Sequence, residues 1–554
     1  MTQAPREAPA AIRLLAVGVF AAWVALAGLW TLPPLDRDEA RFAQATAQML
    51  ETGDFIAIRF QEKERNKKPA GIYWLQAASV SALSAVENRE IWAYRIPSIF
   101  GVVFAAIFTF LTARRLYDQR TALLAGLLIS SAPVVAAEAT IAKTDGVLLA
   151  LICLAQYAFV EIYAAREEGR AKGWAWPLAF WTAHGGGILI KGPIGPMVSF
   201  LTGIGLAITE RKMSWAFRMR PIIGILILVI IVAPWAFAIN AATEGRFFSD
   251  AIGGDMLGKV GEAQESHAGP PGYHTVMVWV MFWPAAALLA SGLAHIWRDR
   301  KQWQARFLLS WIVPAWVVFE ISATKLPHYV LPLYPALAIV AAHAVMKDGP
   351  AQTFLRKAGA IGYGIVGLIA AGLVGGLPIF LSAAPMTMIC FALAAAIAFA
   401  SLFIAYLFWK GRAWSGGVSA ALLAGIYAWI LMGAVLPGLN QLAVSPRLSI
   451  ALESAGRHPI HNEADPIAIA GYSEPSAIFL IGTETKLTTG DYAARLLKSG
   501  AVSAAAVDQR ERDAFLSEYG PGADDLLTLA VIDGLNYSKG DPVEIAIFVK
   551  PAKD

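Results

Sequence analysis

The sequence predicts a mainly α-helical polytopic membrane protein of about thirteen transmembrane helices, followed by a small α/β domain. Three observations predict it. Of 554 residues, 57% are hydrophobic and only 16% charged, and a mean hydropathy of +0.54 lies far above that of a soluble domain. Apolar stretches long enough to cross a bilayer recur as far as residue 436. Beyond about Gln441 the composition turns soluble.

The first apolar stretch, 12–32, is too long for a signal-peptide core. The Thr31-Leu32-Pro33-Pro34-Leu35 run after it lacks a small-x-small cleavage site, so it reads as a retained helix. Further spans are expected near 91–113, 121–141, 146–165, 174–190, 193–209, 221–240, 273–297, 306–323, 329–346, 358–382, 385–409 and 415–436. Alternate connections are basic, among them Arg114-Arg115, Arg211-Lys212, Arg298 with Arg300 and Lys301, and Lys410 with Arg412. The positive-inside rule places these and the N-terminus in the cytoplasm, and an odd number of spans then exports everything after Pro437. The expected division is a membrane domain over 1–436, with a first outer loop at about 33–90, and a soluble outer domain over 437–554. Within the latter, Ile467–Ala470, Ala477–Ile481 and Val543–Val549 are strand-like, whereas 491–498 and 509–518 read as helical.

Cys153 and Cys390 both lie inside apolar stretches and form neither a disulfide framework nor a thiolate metal site. A formal net charge of +4, with arginines spread between spans, excludes a nucleic-acid partner.

The chemistry is concentrated on one side. Asp36-Arg37-Asp38-Glu39-Ala40-Arg41 follows the first span, where charge near hydrocarbon is costly and marks function. Its bland alternative is a solvated helix start, with Asp36 or Asp38 as cap and Glu39 favourable to the dipole. The loop continues through Arg59, Lys63, Arg65, Lys67, Lys68 and Arg89 on the side where basic residues should be sparse. A phosphate-bearing ligand at the outer surface explains that exception, and anionic headgroups are the alternative. Lys67-Lys68 precede Pro69 and an aromatic amphipathic segment containing Tyr73 and Trp74. Three more patches face the same way: Lys143-Thr144-Asp145-Gly146, Lys191-Gly192-Pro193, and Lys325-Leu326-Pro327-His328-Tyr329. Each has a structural use as well, Asp145 as a cap, Lys191 as a snorkelling cation and His328 as an interfacial imidazole. Their coincidence of side and depth is what points to a site.

The loop 241–273 carries Glu262, Glu265 and His267 before Gly269-Pro270-Pro271-Gly272, with His274 beyond. A divalent metal is the one cofactor these spacings leave open, and a lid over the site fits the Gly and Pro content equally.

In order along the chain, Asp38-Glu39-Ala40-Arg41-Phe42, Lys68-Pro69 with Tyr73-Trp74, Thr144-Asp145, Lys191-Gly192-Pro193, Pro234-Trp235, His267, and Lys325-Leu326-Pro327-His328-Tyr329 with Leu331-Pro332 resemble the motifs of bacterial lipid-linked glycosyltransferases of the GT-C fold. The resemblance is greatest to the 4-amino-4-deoxy-L-arabinose lipid A transferases within the protein O-mannosyltransferase-like superfamily, and it covers the chain to about residue 345. It implies an inner-membrane enzyme that takes a sugar from undecaprenyl phosphate or another polyprenyl phosphate and passes it, with inversion, to lipid A or another envelope glycan at the periplasmic face. It implies Asp38 as the principal catalytic carboxylate, with Glu39 and Asp145 as further candidates. Arg41, Lys67, Lys68, Lys191, Lys325 and Tyr329 would hold the donor phosphate, and His267, His328 and Tyr73 would contact other parts of the substrates. Mannosyl- and galacturonosyl-type transfer are alternatives within the same fold. A transporter of lipid-linked sugars is the alternative from another class, but it predicts inverted repeats and charges at the bilayer midplane, and here most charges lie at span ends and no repeat is visible. A non-catalytic envelope scaffold is the third reading.

Overall fold

The computed structural model describes residues 9–35, 37–171, 173–257, 269–346, 350–381 and 383–551. Asp36, Glu262, Glu265 and His267 lie outside the described residues. The chain is a bundle of long apolar helices with a mixed sheet at its C-terminal end. Among the described residues seven helices are long and apolar enough to cross a membrane, or nine if two sharply bent pairs each count as one span. Each of the thirteen apolar stretches contains helix, but several of these helices, such as Ala10–Ala25 and Ile194–Glu210, are shorter than a span.

Helix α1 (Ala10–Ala25) stops well before the end of its apolar stretch. The carbonyls of Leu29, Leu32 and Pro33 accept hydrogen bonds from the buried guanidinium of Arg95 instead of continuing the helical ladder. Chain polarity then rises into α2 (Arg37–Thr52), whose first turn carries Asp38 and Glu39 and whose apolar face buries Phe42 and Met49. A two-stranded ribbon, β1 (Arg59–Phe60) with β2 (Lys63–Glu64), leads into α3 (Gly71–Leu83). The amphipathic reading of α3 agrees with its burial: Ile72 and Tyr73 are covered, Leu75 and Leu83 exposed.

Helix α4 (Ile91–Leu116) crosses α7 (Asp145–Glu167) closely. A Cβ placed on Gly101 would lie 2.4 Å from the Gly146 carbonyl, so the crossing requires a residue without a side chain. Between them, α5 (Gln119–Ser130) and α6 (Pro133–Ala139) meet at 62°, with the break at Pro133. The bend brings the end of α6 and the segment 140–144 to the start of α7. Helices α8 (Ala175–Lys191) and α9 (Ile194–Glu210) turn at Gly192-Pro193, where Gly192 has φ 63°. Next comes α10 (Pro221–Ala242), apolar all round and mostly exposed, as a helix facing lipid should be.

The pair α11 (Tyr273–Met281) and α12 (Ala286–Arg298) is bent by 89° around Trp283-Pro284. It is followed by α13 (Trp303–Ile321), a 3₁₀ segment (Pro327–Leu333) and α14 (Tyr334–Ala344). Three further apolar helices, α15 (Pro350–Phe380), α16 (Ala384–Trp409) and α17 (Ala413–Ala428), complete the bundle.

The C-terminal sheet runs in the order β4-β3-β5-β7-β6, with β3 (Ile467–Ala470) parallel to β4 (Lys486–Thr488) and β5 (Ala504–Asp508). Strands β6 (Leu527–Asn536) and β7 (Asp541–Val549) complete it antiparallel. Alternation decides its two faces: Ile467 and Ile469 pack with Leu448 and Leu452 of α18 (Val444–Ser454), while Ala468 and Ala470 pack with Leu497 of α20 (Gly490–Ser499) and Phe515 of α21 (Gln509–Tyr519). The expected strand at 477–481 is instead α19 (Pro475–Ile481), which Pro475 starts at its first position. Helix α2 docks on α19 through Arg37, whose guanidinium lies 3.1 Å from Glu474, and through Gln44, which donates to Thr483 just beyond α19 at 2.7 Å.

Candidate active site

A cavity of about 760 Å³ opens between the loop joining α2 to α3 and the helix bundle. Its polar end gathers Asp38, Arg65, Lys67, Lys68, Lys143, Asp145 and Lys191, with His328 and Tyr329. Five cations thus line the wall with two carboxylates, and one of the five, Lys143, is paired with Glu138 behind the wall, so positive charge is in excess in a concave, partly apolar space. Such a site binds a phosphoryl group far more strongly than water-exposed lysines do.

Asp38, in the first turn of α2, has a side chain 58% exposed, and that exposure is into the cavity. Arg41, one turn on, donates to its Oδ1 at 3.2 Å, and Arg65 lies 3.9 Å from the same oxygen. Burial pushes the Asp38 carboxyl up, but Arg65 and Arg41, with Lys143 behind them, outweigh it and hold the acid below its usual range. Arg65 is aimed by Tyr73, whose phenol oxygen accepts from Nε at 3.3 Å, and by the ring of Phe42, 5.1 Å beneath the guanidinium. Tyr73 is fully buried, which pushes its phenol up and keeps it protonated. It therefore stands behind the cavity wall, not on it.

Asp145 begins α7, where the helix dipole favours a carboxylate, and Lys191 ends α8, where it favours a cation. The two meet at 2.6 Å. Thr144 donates to the other Asp145 oxygen at 3.3 Å. Beneath them Lys143 pairs with Glu138 at 3.1 Å, and His328 Nδ1 lies 3.8 Å from the same Glu138 oxygen. His328 is delivered by the 3₁₀ segment, and burial pushes its imidazole down to about 3, so it is neutral at physiological pH.

The other half of the cavity is apolar: Val232, Trp235 and Ala236 of α10, Phe247 and Phe248 just after it, and Val318, Phe319 and Ile321 of α13. Arg246 ties this wall to the polar loop by donating to Glu64 at 2.9 Å, and Asn66 of the loop donates to Asp250 at 3.1 Å. Ile321, at the end of α13, is 73% exposed and lines the cavity, so this apolar end is not closed off.

The structure brings together Asp38, Asp145, Lys67, Lys68, Lys191, His328 and Tyr329. It places Arg41 beside Asp38 and Tyr73 behind Arg65. Glu39, expected among the catalytic carboxylates, points away: it is 1% exposed, gripped by both arms of Arg95 at 2.8 and 2.9 Å, and accepts from the Ala142 amide at 2.8 Å. With both carboxylate oxygens accepting from buried donors, it is a joint between α2, α4 and the 140–144 segment. Lys325 is likewise absent from the wall, since its ammonium donates to the carbonyls of Ser322 at 2.8 Å and Gly269 at 3.1 Å. Arg65 and Lys143, which the sequence offers only as members of basic patches, join the site individually, and Glu138 is a residue that sequence reasoning misses. Glu138 carried a usable signal, as a lone carboxylate inside an apolar stretch.

The chain is similar in sequence and in fold to known proteins. A family model described as dolichyl-phosphate-mannose-protein mannosyltransferase matches residues 67–237. An undecaprenyl phosphate-alpha-4-amino-4-deoxy-L-arabinose arabinosyl transferase from Pseudomonas paraeruginosa is 28% identical over 339 residues, 58% of this chain and 58% of that protein. One of the same name from Erwinia tasmaniensis is 27% identical, over 73% of this chain and 71% of the relative. The match thus spans less than two thirds of the length of the Pseudomonas relative. Among solved structures, ArnT from Cupriavidus metallidurans in the apo state has a TM-score of 0.74 at 18% identity, covering 98% of this chain and 99% of that one. The same protein bound to undecaprenyl phosphate has a TM-score of 0.74 at 19% identity, covering 97% of each chain. The chain therefore has the fold of a multi-pass GT-C protein, and the resemblance read from its motifs holds in sequence to the arabinosyl transferases and in architecture over nearly its whole length.

Proposed function

We propose that this protein is an inverting glycosyltransferase that moves a sugar from a polyprenyl phosphate to lipid A or another envelope glycan at the outer face of the bacterial inner membrane. The observation that carries the reading is the divided cavity, with five cations around Asp38 and Asp145 at one end and an apolar wall open to lipid at the other. A polyprenyl phosphate has the same two halves. In this reading the membrane portion over 1–436 has thirteen spans, the N-terminus is cytoplasmic and residues 437–554 lie outside.

The chemistry follows from the charges. An acceptor oxygen attacks the anomeric carbon, the carbon–oxygen bond to the phosphate breaks, and the electron pair leaves with the polyprenyl phosphate. Lys67, Lys68, Lys191 and Arg65 stabilise the charge that grows on that leaving group, aided by the Tyr329 hydroxyl. Asp38 is ionised, so it deprotonates a hydroxyl acceptor or, where the acceptor is an already ionised phosphate, orients it and stabilises oxocarbenium character. Arg41 holds Asp38 in place. Asp145 keeps Lys191 aimed into the cavity.

The sugar is 4-amino-4-deoxy-L-arabinose in the reading that the names of the relatives support. A mannosyl-type donor is the second reading, supported by the description of the family model. Mass spectrometry of lipid A and envelope glycans, with the wild type and with a well-inserted Asp38→Asn variant, tests both. A sugar present with the wild type and lost with the variant is the expected result, and its mass names the donor. Identical glycans in the two would overturn the reading.

A further inference from the structure

We propose that His295, Asp299 and His343 form a binding site for a divalent transition metal, best fitted by zinc, at the end of the helix bundle remote from the cavity. Their ligating atoms all lie within 4.8 Å of one another, and all three residues are half-buried. His295, in the last turn of α12, and Asp299, just past its end, are four residues apart and share one face, with Nε2 and Oδ2 at 3.0 Å. His343 comes from the last turn of α14, and its ring centre is 5.4 Å from that of His295.

Two imidazoles and one carboxylate are a borderline donor set that suits zinc better than magnesium or calcium. Tetrahedral zinc places its ligand atoms about 3.4 Å apart. Modest side-chain rotations reach that spacing from the observed one, and a water would complete the tetrahedron. The surroundings hold one ligand already oriented: the ring of Tyr117, just past α4, stacks on His343 with centres 3.7 Å apart and planes 16° apart. Fixing a ring plane is what outer partners do in metal sites.

The consequence of occupancy is mechanical. A metal here joins α12 to α14 while Tyr117 brings the end of α4 against the same imidazole. Helix α14 follows directly on the 3₁₀ segment that carries His328 and Tyr329 into the cavity. Binding at its far end would therefore restrain the helix that leads out of a cavity wall. The inference does not depend on which reaction the cavity performs.

The test uses the full-length, tag-free protein in detergent or nanodiscs, stripped with chelator and titrated with Zn²⁺ and, separately, with Co²⁺. The expected result is about one tightly bound metal per chain, a raised melting temperature on adding Zn²⁺, and a visible tetrahedral Co²⁺ absorption. His343→Ala and Asp299→Asn should each weaken binding by at least about tenfold. Because His343→Ala also removes the Tyr117 stack, Asp299→Asn serves as the milder control for folding. No stoichiometric metal, or the same affinity in a His295→Ala/His343→Ala double variant, would overturn the proposal. So would Zn²⁺ binding without the tetrahedral Co²⁺ spectrum.

Discussion

The Lys191 ammonium lies 2.6 Å from a carboxylate oxygen of Asp145, and each sits at the helix end whose dipole favours its charge. The pair is half of a charge pattern in which each carboxylate of the cavity holds a cation toward the space a phosphate would occupy. Arg41 and Arg65 complete it around Asp38.

Lys191→Met should lower kcat by about 100-fold, the cost of losing one donor to a developing negative charge. The Asp145→Asn/Lys191→Met double variant should be little worse than the single one, because the two groups act as a unit. Transfer rates in proteoliposomes with a synthetic polyprenyl-phosphate sugar measure both. Fully additive losses would contradict the pairing.

The pH dependence follows from Asp38. Its folded pKa lies below the ordinary 3.8, so the group stays ionised, and its stabilising contact with Arg41 and Arg65 stays intact, until the pH falls through that lowered value. Activity should therefore show no acid limb from Asp38 above about pH 4. Removing Arg65 by substitution with Gln leaves burial less opposed, so the limb should move to higher pH, as a pH–rate profile in lipid would record.

Glu39 and Arg95 give the opposite signature. Both side chains are buried, so Glu39→Ala strands a guanidinium and should destabilise the fold by about 3–5 kcal/mol. Asp38→Ala, at an open position, should leave the melting temperature close to that of the wild type while abolishing transfer. Thermal unfolding monitored in detergent separates the two neighbours.

The seam between α2 and the C-terminal sheet domain is also testable. Phe479 of α19 packs edge-on to Tyr94 at 5.2 Å, and Gln61 donates to the carbonyls of Thr483 and Thr485 at 2.9 and 2.7 Å. Phe479→Ala removes a fully buried ring and should weaken docking by about 3 kcal/mol. Faster limited proteolysis near residues 437–444, with polyprenyl phosphate binding unchanged, is the expected outcome.

Much of this was legible in the sequence because hydrophobic length and charge position are local properties. The helical stretches and the shared side of Asp38, Lys68, Asp145, Lys191 and His328 followed from them. What was not legible depends on direction. Asp38 and Glu39 are adjacent, and a helix turns successive side chains about 100° apart, so only tertiary packing decides that one faces the cavity and the other Arg95. Lys325 was misjudged for the same reason, since its loop folds the ammonium back onto backbone carbonyls. The 477–481 run read as a strand because a short apolar stretch carries no period, and Pro475 was the signal that should have arbitrated. Glu138 escaped because hydropathy averages smooth over a single charge.

Helix α10 lends Val232, Trp235 and Ala236 to the cavity while the rest of its surface is exposed and apolar. One wall of the cavity is thus formed by a helix whose opposite surface is exposed and apolar. In a bilayer, lateral pressure and acyl-chain length would act directly on that partition, so that a change of host lipid would alter the cavity's internal dimensions without any change of sequence.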